Sequence, residues 1–350
     1  MDALRRGLSA NDRSVEFHGR WQEYLKIAVV NLALTIVTLG IYRFWAQART
    51  RRYLWSRTRL VGSDLEWTGT GGEMFVGFLL AMGVLIGCTV AIVGGSILIG
   101  QWFMFVGLLA FYVFLFWAIG FAQFRALRYR LSRTYWRGIR GGSDDNGVSY
   151  GWSALGRNLG AGLSLGIAMP WALVENWNHR VGAMSFGPHQ LQSDASAEGL
   201  LPRWLLVYPL YAAFIAFTFW TMPEPGQEPQ TGALTEFLII FGFFAAIGLV
   251  MTAFWALYFR RAADGFAMGN LTAGFEVDTA EWLKFYAKLV GLTVATLGFG
   301  ALMWRYLNWK FVMDRLSLYG EIDLDGLTQS ATTAPRDAEG FADAFDIGAF

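Results

Sequence analysis

A chain of 350 residues, of which 55% are hydrophobic and only 16% are charged, is too apolar for a soluble domain, where about a quarter of the residues carry charge. Its net charge of +1 provides no extended positive field for nucleic acid. The single cysteine, Cys88, lies in an apolar run and excludes an intrachain disulfide. The composition therefore indicates an integral membrane protein with polar loops.

The first predicted module, residues 1–72, contains a short apolar helix from Ile27 to Tyr42 and a basic, aromatic helix after a glycine break at Gly40. A helix as short as the first rises about 24 Å, less than the ~30 Å hydrocarbon core of a bilayer. Alternating residues on both sides, Val15 to His18 and Leu65 to Thr68, predict short strands.

Residues 73–124 are predicted to form a pair of transmembrane helices. No charged side chain occurs between Glu73 and Arg125, and this stretch is long enough for two spans of about 20 residues each. We place the turn between them near Gly100 and Gln101.

The second module, residues 125–202, is predicted to be a degenerate copy of the first. Its apolar segment, Asn158 to Val174, is rich in glycine and has its predicted break at Gly166. It lacks the basic run that follows Gly40 in the first module. Any role of that run is therefore not expected to extend to this copy.

A second pair of transmembrane helices is predicted in residues 203–260, at Trp204 to Pro223 and Phe237 to Phe259. The loop between them contains glutamates and neither lysine nor arginine. Arginine clusters, in contrast, flank the first pair on both sides. The positive-inside rule then places the clusters in the cytoplasm and the acidic loop outside.

The third module, residues 261–330, aligns with the first without a gap. Its apolar segment runs from Leu289 to Trp304 and has its predicted break at Gly298. The matched runs are Glu23-Tyr24-Leu25-Lys26 with Glu281-Trp282-Leu283-Lys284, and Thr38-Leu39-Gly40 with Thr296-Leu297-Gly298. Such an internal repeat predicts repeated structure.

We therefore predict a polytopic α-helical membrane protein with three repeated helix–break–helix modules, short flanking β-strands and two pairs of transmembrane helices. If the strands before and after a short hairpin pair, both of its ends lie on one side of the membrane. Four full spans with three membrane-embedded hairpins are favoured over seven spans, with modules and termini in the cytoplasm. Length alone leaves open whether the short segments span or re-enter the membrane.

Catalytic and metal chemistry find little support in the sequence. The histidines, His18, His179 and His189, are far apart, and neither an HExxH motif nor paired cysteines are present. The four predicted spans contain no ionisable residue of the kind that a proton-coupled transporter requires. We predict no catalytic residue, no metal site, no cofactor and no enzymatic activity.

The helix after Gly40 is the best functional candidate because its arginines alternate with aromatic residues. Such a surface suits anionic lipid headgroups, with each cation contributing about 1 kcal/mol near the membrane. The candidate lipid-contact residues are Arg43, Trp45, Arg49, Arg51, Arg52 and Trp55. The alternative is that these arginines only orient the chain in the membrane, which requires the same residues.

The last 20 residues, 331–350, form a predicted flexible tail that combines acidic and aromatic side chains. Such a tail can be free, or can dock on a basic surface.

A family resemblance is carried mainly by the run from Asn31 to Ala46, continued from Arg51 to Leu60. This run resembles the signature of the YjgN-like bacterial inner-membrane proteins, a family with a domain of unknown function. Tyr135 to Arg140 and Gly340 to Asp346 resemble further elements of that family. The resemblance implies a location in the bacterial inner (cytoplasmic) membrane and no established reaction.

Two classes of function remain open. The first is a non-enzymatic scaffold or lipid-interacting protein, with membrane phospholipids as partners. The alternative is a transporter or channel for a small solute or lipid that uses the glycine-broken hairpins. No nucleic-acid partner is expected, and the sequence does not identify protein partners, a substrate or an oligomeric state.

Overall fold

The computed structural model describes residues 14–222, 232–320, 328–333 and 340. The strands are β1 (Val15–Phe17), β2 (Thr58–Leu60), β3 (Ser63–Trp67), β4 (Thr134–Trp136), β5 (Ile139–Gly142), β6 (Ser185–Phe186), β7 (His189–Ser193), β8 (Phe266–Met268), β9 (Leu271–Phe275) and β10 (Leu316–Tyr319). The helices are α1 (Trp21–Val37), α2 (Arg43–Ser56), α3 (Gly71–Ile99), α4 (Gln101–Arg133), α5 (Val148–Leu163), α6 (Met169–Gly182), α7 (Leu200–Leu205), α8 (Val207–Thr221), α9 (Ala233–Asp264), α10 (Thr279–Ala295) and α11 (Trp304–Met313), with a 3-10 turn at Phe299–Met303.

Four helical segments of the described chain are long and apolar enough to cross a membrane: α3, α4, the continuous stretch α7–α8, and α9. Only 6% of the most apolar window of each is buried inside the protein, so these side chains face lipid rather than a protein core. Gly100, with a φ of 113°, separates α3 from α4. Long apolar helices at the four predicted positions and the predicted turn at Gly100 are confirmed.

The ten strands form one antiparallel sheet in which each strand pairs with the next along the chain. The two edge strands meet, because the backbone N–H of Leu318 in β10 donates to Ser14 Oγ just before β1, at 2.7 Å. The sheet is therefore barrel-like. We expected only short strands at each module, but β3 also pairs with β4 and β7 with β8. Alternating residues indicate a strand but not its partner.

Each short helical hairpin and each pair of long helices begins and ends at a strand of this sheet. The strands on either side of each short hairpin pair antiparallel: β1 with β2, β5 with β6, and β9 with β10. The hairpins α1–α2, α5–α6 and α10–α11 therefore each return to the side from which they start. Both pairs of long helices do the same between paired strands.

A pair of tilted or edge-on rings joins the two helices of each hairpin at the same place. The three pairs are Tyr24–Tyr53, Tyr150–His179 and Trp282–Phe311, with ring centroids 5.8, 5.3 and 5.5 Å apart. Aromatic contacts of this kind add stability beyond the apolar area that they bury.

The first and third hairpins also contact each other directly. Trp55 of α2 stacks on Trp309 of α11 with ring centroids 4.3 Å apart. The hydroxyl of Tyr306 donates to the carbonyl of Gly19 at 2.8 Å. These contacts hold the first hairpin against the third.

Several expected boundaries differ from the observed ones. Helix α4 continues past residue 124 to Arg133, and α9 continues past residue 260 to Asp264, because the arginines in these last turns bond to neighbouring elements. Residues 223–231, which include most of the predicted external loop, lie outside the described part of the chain. So do residues 321–327.

The start of the predicted flexible tail is held by the sheet. The guanidinium of Arg140 in β5 donates to the carbonyl of Thr332. The side chain of Gln329 accepts from the backbone N–H of Arg140 and donates to the carbonyl of Gly138. Residues 334–339 and 341–350 lie outside the described part of the chain.

Candidate functional site

Each short apolar segment is interrupted by a Leu-Gly pair in the left-handed backbone region. The φ angles are 51° and 92° at Leu39-Gly40, 54° and 88° at Leu165-Gly166, and 52° and 95° at Leu297-Gly298. Glycine adopts this region readily, whereas leucine does so rarely. These three glycines are the break positions singled out in the sequence.

A hydroxyl group caps the second half of each break. The acceptors are Thr38, Ser164 and Thr296, whose Oγ atoms accept the backbone N–H of Tyr42, Ala168 and Gly300 at 2.9, 3.0 and 2.6 Å. Such a bond satisfies a backbone donor that would have no water partner if the tip entered the membrane. The sequence signal of this cap is a Ser or Thr two residues before the glycine.

The three hairpin tips are apolar and unusually exposed. Leu39 is 94% exposed, Leu165 82% and Leu297 92%. Large apolar side chains exposed together in this way mark surfaces that contact membrane or protein. The tips are therefore suited to insertion among acyl chains.

Helix α2 presents part of the predicted lipid-contact set on its surface. Arg43, Trp45, Arg49 and Arg52 are exposed. Trp45, Arg49 and Arg52 follow one another at i, i+4 and i+7, so they share a helical face. Among the described residues, none forms an ion pair with Arg49 or Arg52. This exposed face lies directly after the apolar tip at Leu39.

Two members of the predicted set are buried, which removes them from the lipid surface. Arg51 is 5% exposed, and its guanidinium lies over the ring of Trp67 at 5.1 Å. Trp55 is 7% exposed, and its Nε1 donates to Thr134 Oγ1 at 2.9 Å. The two residues lie one helical turn apart on the face that packs against the sheet, so helical spacing separates them from Arg49 and Arg52.

A matched charge cluster, here called the first junction, lies where the first pair of long helices meets the sheet. It consists of Glu73, Tyr129 and Arg133. The Glu73 carboxylate accepts from Arg133 Nη2 at 2.9 Å and from the Tyr129 hydroxyl at 2.7 Å. Both charged side chains are mostly buried, with 16% of Glu73 and 19% of Arg133 exposed.

The second pair of long helices meets the sheet differently, at the second junction, formed by Arg203, Arg260 and Thr279. Arg203 Nη1 donates to Thr279 Oγ1 at 3.0 Å and to the carbonyl of Ala253 at 2.6 Å. Arg260 Nη2 donates to the same hydroxyl at 3.3 Å. The positive-inside rule accounts for arginines at these helix ends but does not reveal that the two share an acceptor.

The middle hairpin holds a polar cluster between its two helices. Arg157 Nη1 donates to Asn176 Oδ1 at 3.1 Å and lies 3.3 Å from His179 Nδ1. Burial lowers the pKa of His179, and the charge of Arg157 lowers that pKa further. A neutral His179 therefore accepts from Arg157. In the described part of the chain, no group of three His, Cys, Asp or Glu could hold a metal ion.

A cavity of about 430 Å³ opens beside α6, with Trp171, Glu175 and Glu198 in its lining. A second cavity, of about 180 Å³, lies between α9 and the sheet and is lined by apolar side chains with Tyr258.

Comparison with known proteins identifies a family whose model matches most of the chain, and relatives that match over a short part of it. The sequence model of a family described as "Bacterial protein of unknown function (DUF898)" matches residues 12–344. The inner membrane protein YjgN of Escherichia coli (strain K12) is 44% identical over 66 residues, which are 19% of this chain and 17% of that protein. YjgN of Salmonella typhimurium (strain LT2) is 34% identical over 76 residues, 22% of this chain and 19% of the relative.

These matches cover less than a fifth of the relatives' own length, 17% and 19% respectively. No solved structure matches the chain.

Proposed function

Because the chain belongs to the bacterial family of unknown function whose sequence model it matches, we propose that it is a non-enzymatic, lipid-interacting protein of the inner membrane. The resemblance to YjgN-like proteins is confirmed, and the relatives are named inner membrane proteins. Four membrane-length helices agree with that location. Anionic phospholipids are the proposed partners.

The exposed face of α2 is the observation that carries this proposal. Arg49 and Arg52 present two guanidinium groups, and Trp45 adds an indole that suits the headgroup level. The apolar tip at Leu39 precedes them and can lie among acyl chains while the arginines contact phosphate groups. Guanidinium groups bind phosphate oxygens through paired hydrogen bonds.

Replacement of Arg49 and Arg52 by Gln tests the lipid contact. At about 1 kcal/mol per cation, each loss should weaken binding of cardiolipin or phosphatidylglycerol roughly fivefold, and less at high salt. Native mass spectrometry of the purified protein measures the bound lipid. Arg59→Gln is the matched control, because this exposed arginine on β2 pairs with Asp64 at 3.0 Å. If R49Q/R52Q binds added cardiolipin or phosphatidylglycerol as tightly as wild type but inserts with altered topology, the arginines are orientation signals only.

The same proposal places the sheet and all three modules in the cytoplasm, as the arginine clusters favour. Single-cysteine labelling in a chain without Cys88 tests this orientation. A cysteine at position 228 should react with an external, membrane-impermeant reagent, and one at Gln190 in β7 should not. External labelling at position 190 contradicts the proposed orientation.

We further propose that the three hairpins are copies of one module, within the boundaries assigned from sequence. The left-handed Leu-Gly breaks, the hydroxyl caps and the ring pairs support this interpretation, since each occurs at equivalent positions in all three. The sequence of the middle copy has diverged most, yet it retains the same local geometry.

The alternative, a transporter or channel, would use the cavity of about 430 Å³ beside α6. Solute flux into proteoliposomes that is lost in Glu175→Gln would favour it over the lipid-binding proposal.

A further inference from the structure

Two arginines from different helices converge on a single neutral oxygen at the second junction. Arg203 comes from the first turn of the α7–α8 stretch, and Arg260 comes from the last turns of α9. Both donate to Thr279 Oγ1, at 3.0 and 3.3 Å. A hydroxyl has two lone pairs for these donors but no charge to balance two guanidinium groups.

The described acidic side chains near the second junction are engaged elsewhere. Glu198 lies 3.8 Å from Arg261, and Glu281 pairs with Arg315. Asp264 accepts from the backbone N–H of Phe275, and Asp278 caps α10 by accepting from the N–H of Glu281 at 2.6 Å. None of the described carboxylates forms an ion pair with Arg203 or Arg260, so their mutual repulsion is left without a counter-charge.

The two guanidinium groups also retain donors. These hydrogen bonds use one nitrogen of each, Nη1 of Arg203 and Nη2 of Arg260. Arg260 Nε is buried and has no hydrogen-bond partner among the described residues. The proton of the Thr279 hydroxyl points away from the two bonds that its oxygen accepts and is a further donor. A tetrahedral anion with several acceptor oxygens satisfies this set better than a single carboxylate.

The position of the junction selects the source of the anion. Arg203 opens a membrane-length helix and Arg260 closes another, so both lie where the chain passes from apolar to polar surroundings. Trp255, one turn or so before Arg260 on α9, is 41% exposed, and tryptophan is typical of the headgroup level. A phosphate held here would have its acyl chains beside the lipid-facing surface of α9.

We propose that Arg203, Arg260 and Thr279 form a phosphate site that takes the headgroup of a membrane phospholipid. The site is separate from the α2 surface and rests on the proposed function only in that the chain is embedded in lipid. Its donors are two guanidinium groups and a hydroxyl, each held in position by a helix. The site is therefore expected to bind one lipid tightly, in contrast to the exchanging lipids that surround a membrane protein.

The test counts phospholipid retained by purified protein after detergent washing, by native mass spectrometry. Arg203→Gln and Arg260→Gln should each lower the affinity for a retained phospholipid at least tenfold. Arg261→Gln is the matched control, because Arg261 is adjacent and already faces Glu198. Arg203→Lys and Arg260→Lys keep the charge but lose the planar fork. These Lys variants should lose part of the affinity for the retained phospholipid. They also keep the test valid if a Gln variant does not fold.

One comparison distinguishes lipid phosphate from free phosphate, and a second distinguishes this site from the α2 surface. Inorganic phosphate added to delipidated protein should give little thermal stabilisation. If it stabilises wild type strongly and R203Q not at all, the phosphate site stands but its assignment to lipid is wrong. R49Q/R52Q should keep the tightly held lipid, so failure of the α2 proposal leaves this one intact. Equal lipid retention in R203Q, R260Q and R261Q overturns the proposal.

Discussion

The two pairs of long helices join the same sheet, but their junctions carry opposite charge arrangements. At the first junction, Glu73 accepts from Arg133 and Tyr129, so the guanidinium charge has a carboxylate partner, although Arg133 Nε, like Arg260 Nε, is buried without a hydrogen-bond partner among the described residues. At the second, Arg203 and Arg260 share the hydroxyl of Thr279 without a carboxylate among the described residues. The comparison shows that similar architecture does not require similar electrostatics. It predicts that only the second junction depends on an external anion.

The largest expected effect comes from Glu73→Gln at the first junction. Gln keeps the volume and the capping-box geometry with Thr70 but leaves Arg133, 19% exposed, without its counter-charge. Breaking a fully buried pair costs about 3–5 kcal/mol, so we expect about 2 kcal/mol for this partly exposed one. Thermal unfolding in detergent measures the loss. Asp64→Asn, which breaks the exposed pair with Arg59, is the control and should change little. If E73Q and D64N melt at the same temperature, the ion pair of the first junction contributes no more than an exposed one, and the contrast between the two junctions is wrong.

Tyr129→Phe is a finer test of the same cluster. It deletes the hydroxyl that donates to Glu73 at 2.7 Å and leaves the ion pair with Arg133 in place. A hydrogen bond to a charged group contributes about 1.5 kcal/mol or somewhat more, so the variant should unfold earlier than wild type but later than E73Q. If Y129F is as unstable as E73Q, the hydroxyl and not the ion pair dominates the first junction.

Thr279→Glu makes the second junction resemble the first by adding a carboxylate between the two arginines. We expect the delipidated variant to gain about 1 kcal/mol in the free energy of unfolding, the upper range for a partly exposed ion pair. It should also lose the tightly held phospholipid, since the new carboxylate occupies the same donors. Thr279→Gln, neutral and of similar size, is the control. Undiminished lipid retention in T279E would show that lipid phosphate does not use these arginines.

The sequence predicted features that depend on local composition and failed on those that depend on distant contacts. The charge-free runs located the four long helices, and Gly100 located their turn, because length and hydropathy decide a span. The burial of Arg51 and Trp55 depends on Trp67 and Thr134, which come from other elements. A pattern within one helix indicates its two faces but not which of them meets the sheet.

Both junctions belong to the same class of missed feature. Glu73 and Arg133 are at opposite ends of the first helix pair, and Arg203, Arg260 and Thr279 come from three helices. The positive-inside rule accounts for an arginine at the end of a span without requiring any partner, so it gave no reason to look for one. Only the closed sheet brings these ends together, and the pairing of β3 with β4 or β7 with β8 is not encoded in either strand alone.

The smallest expected effect concerns the middle hairpin, which lies between the two junctions in the sequence. Its stability should depend on the protonation of a histidine, which neither junction contains. Burial and the nearby charge of Arg157 lower the pKa of His179, so the folded state binds its proton less readily than the unfolded state. The stability that follows is present above the ordinary histidine pKa of about 6.5 and is lost as the pH falls below it. The melting temperature of wild type should therefore decline between pH 7 and pH 5.

His179→Gln keeps an acceptor for Arg157 and removes the titration, so its decline over this range should be smaller than that of wild type. His18→Gln is the control, because His18 is 55% exposed beside Glu16 at 3.0 Å and lies outside the hairpin. If H179Q and H18Q retain the same pH dependence as wild type, protonation of the hairpin histidine does not limit stability.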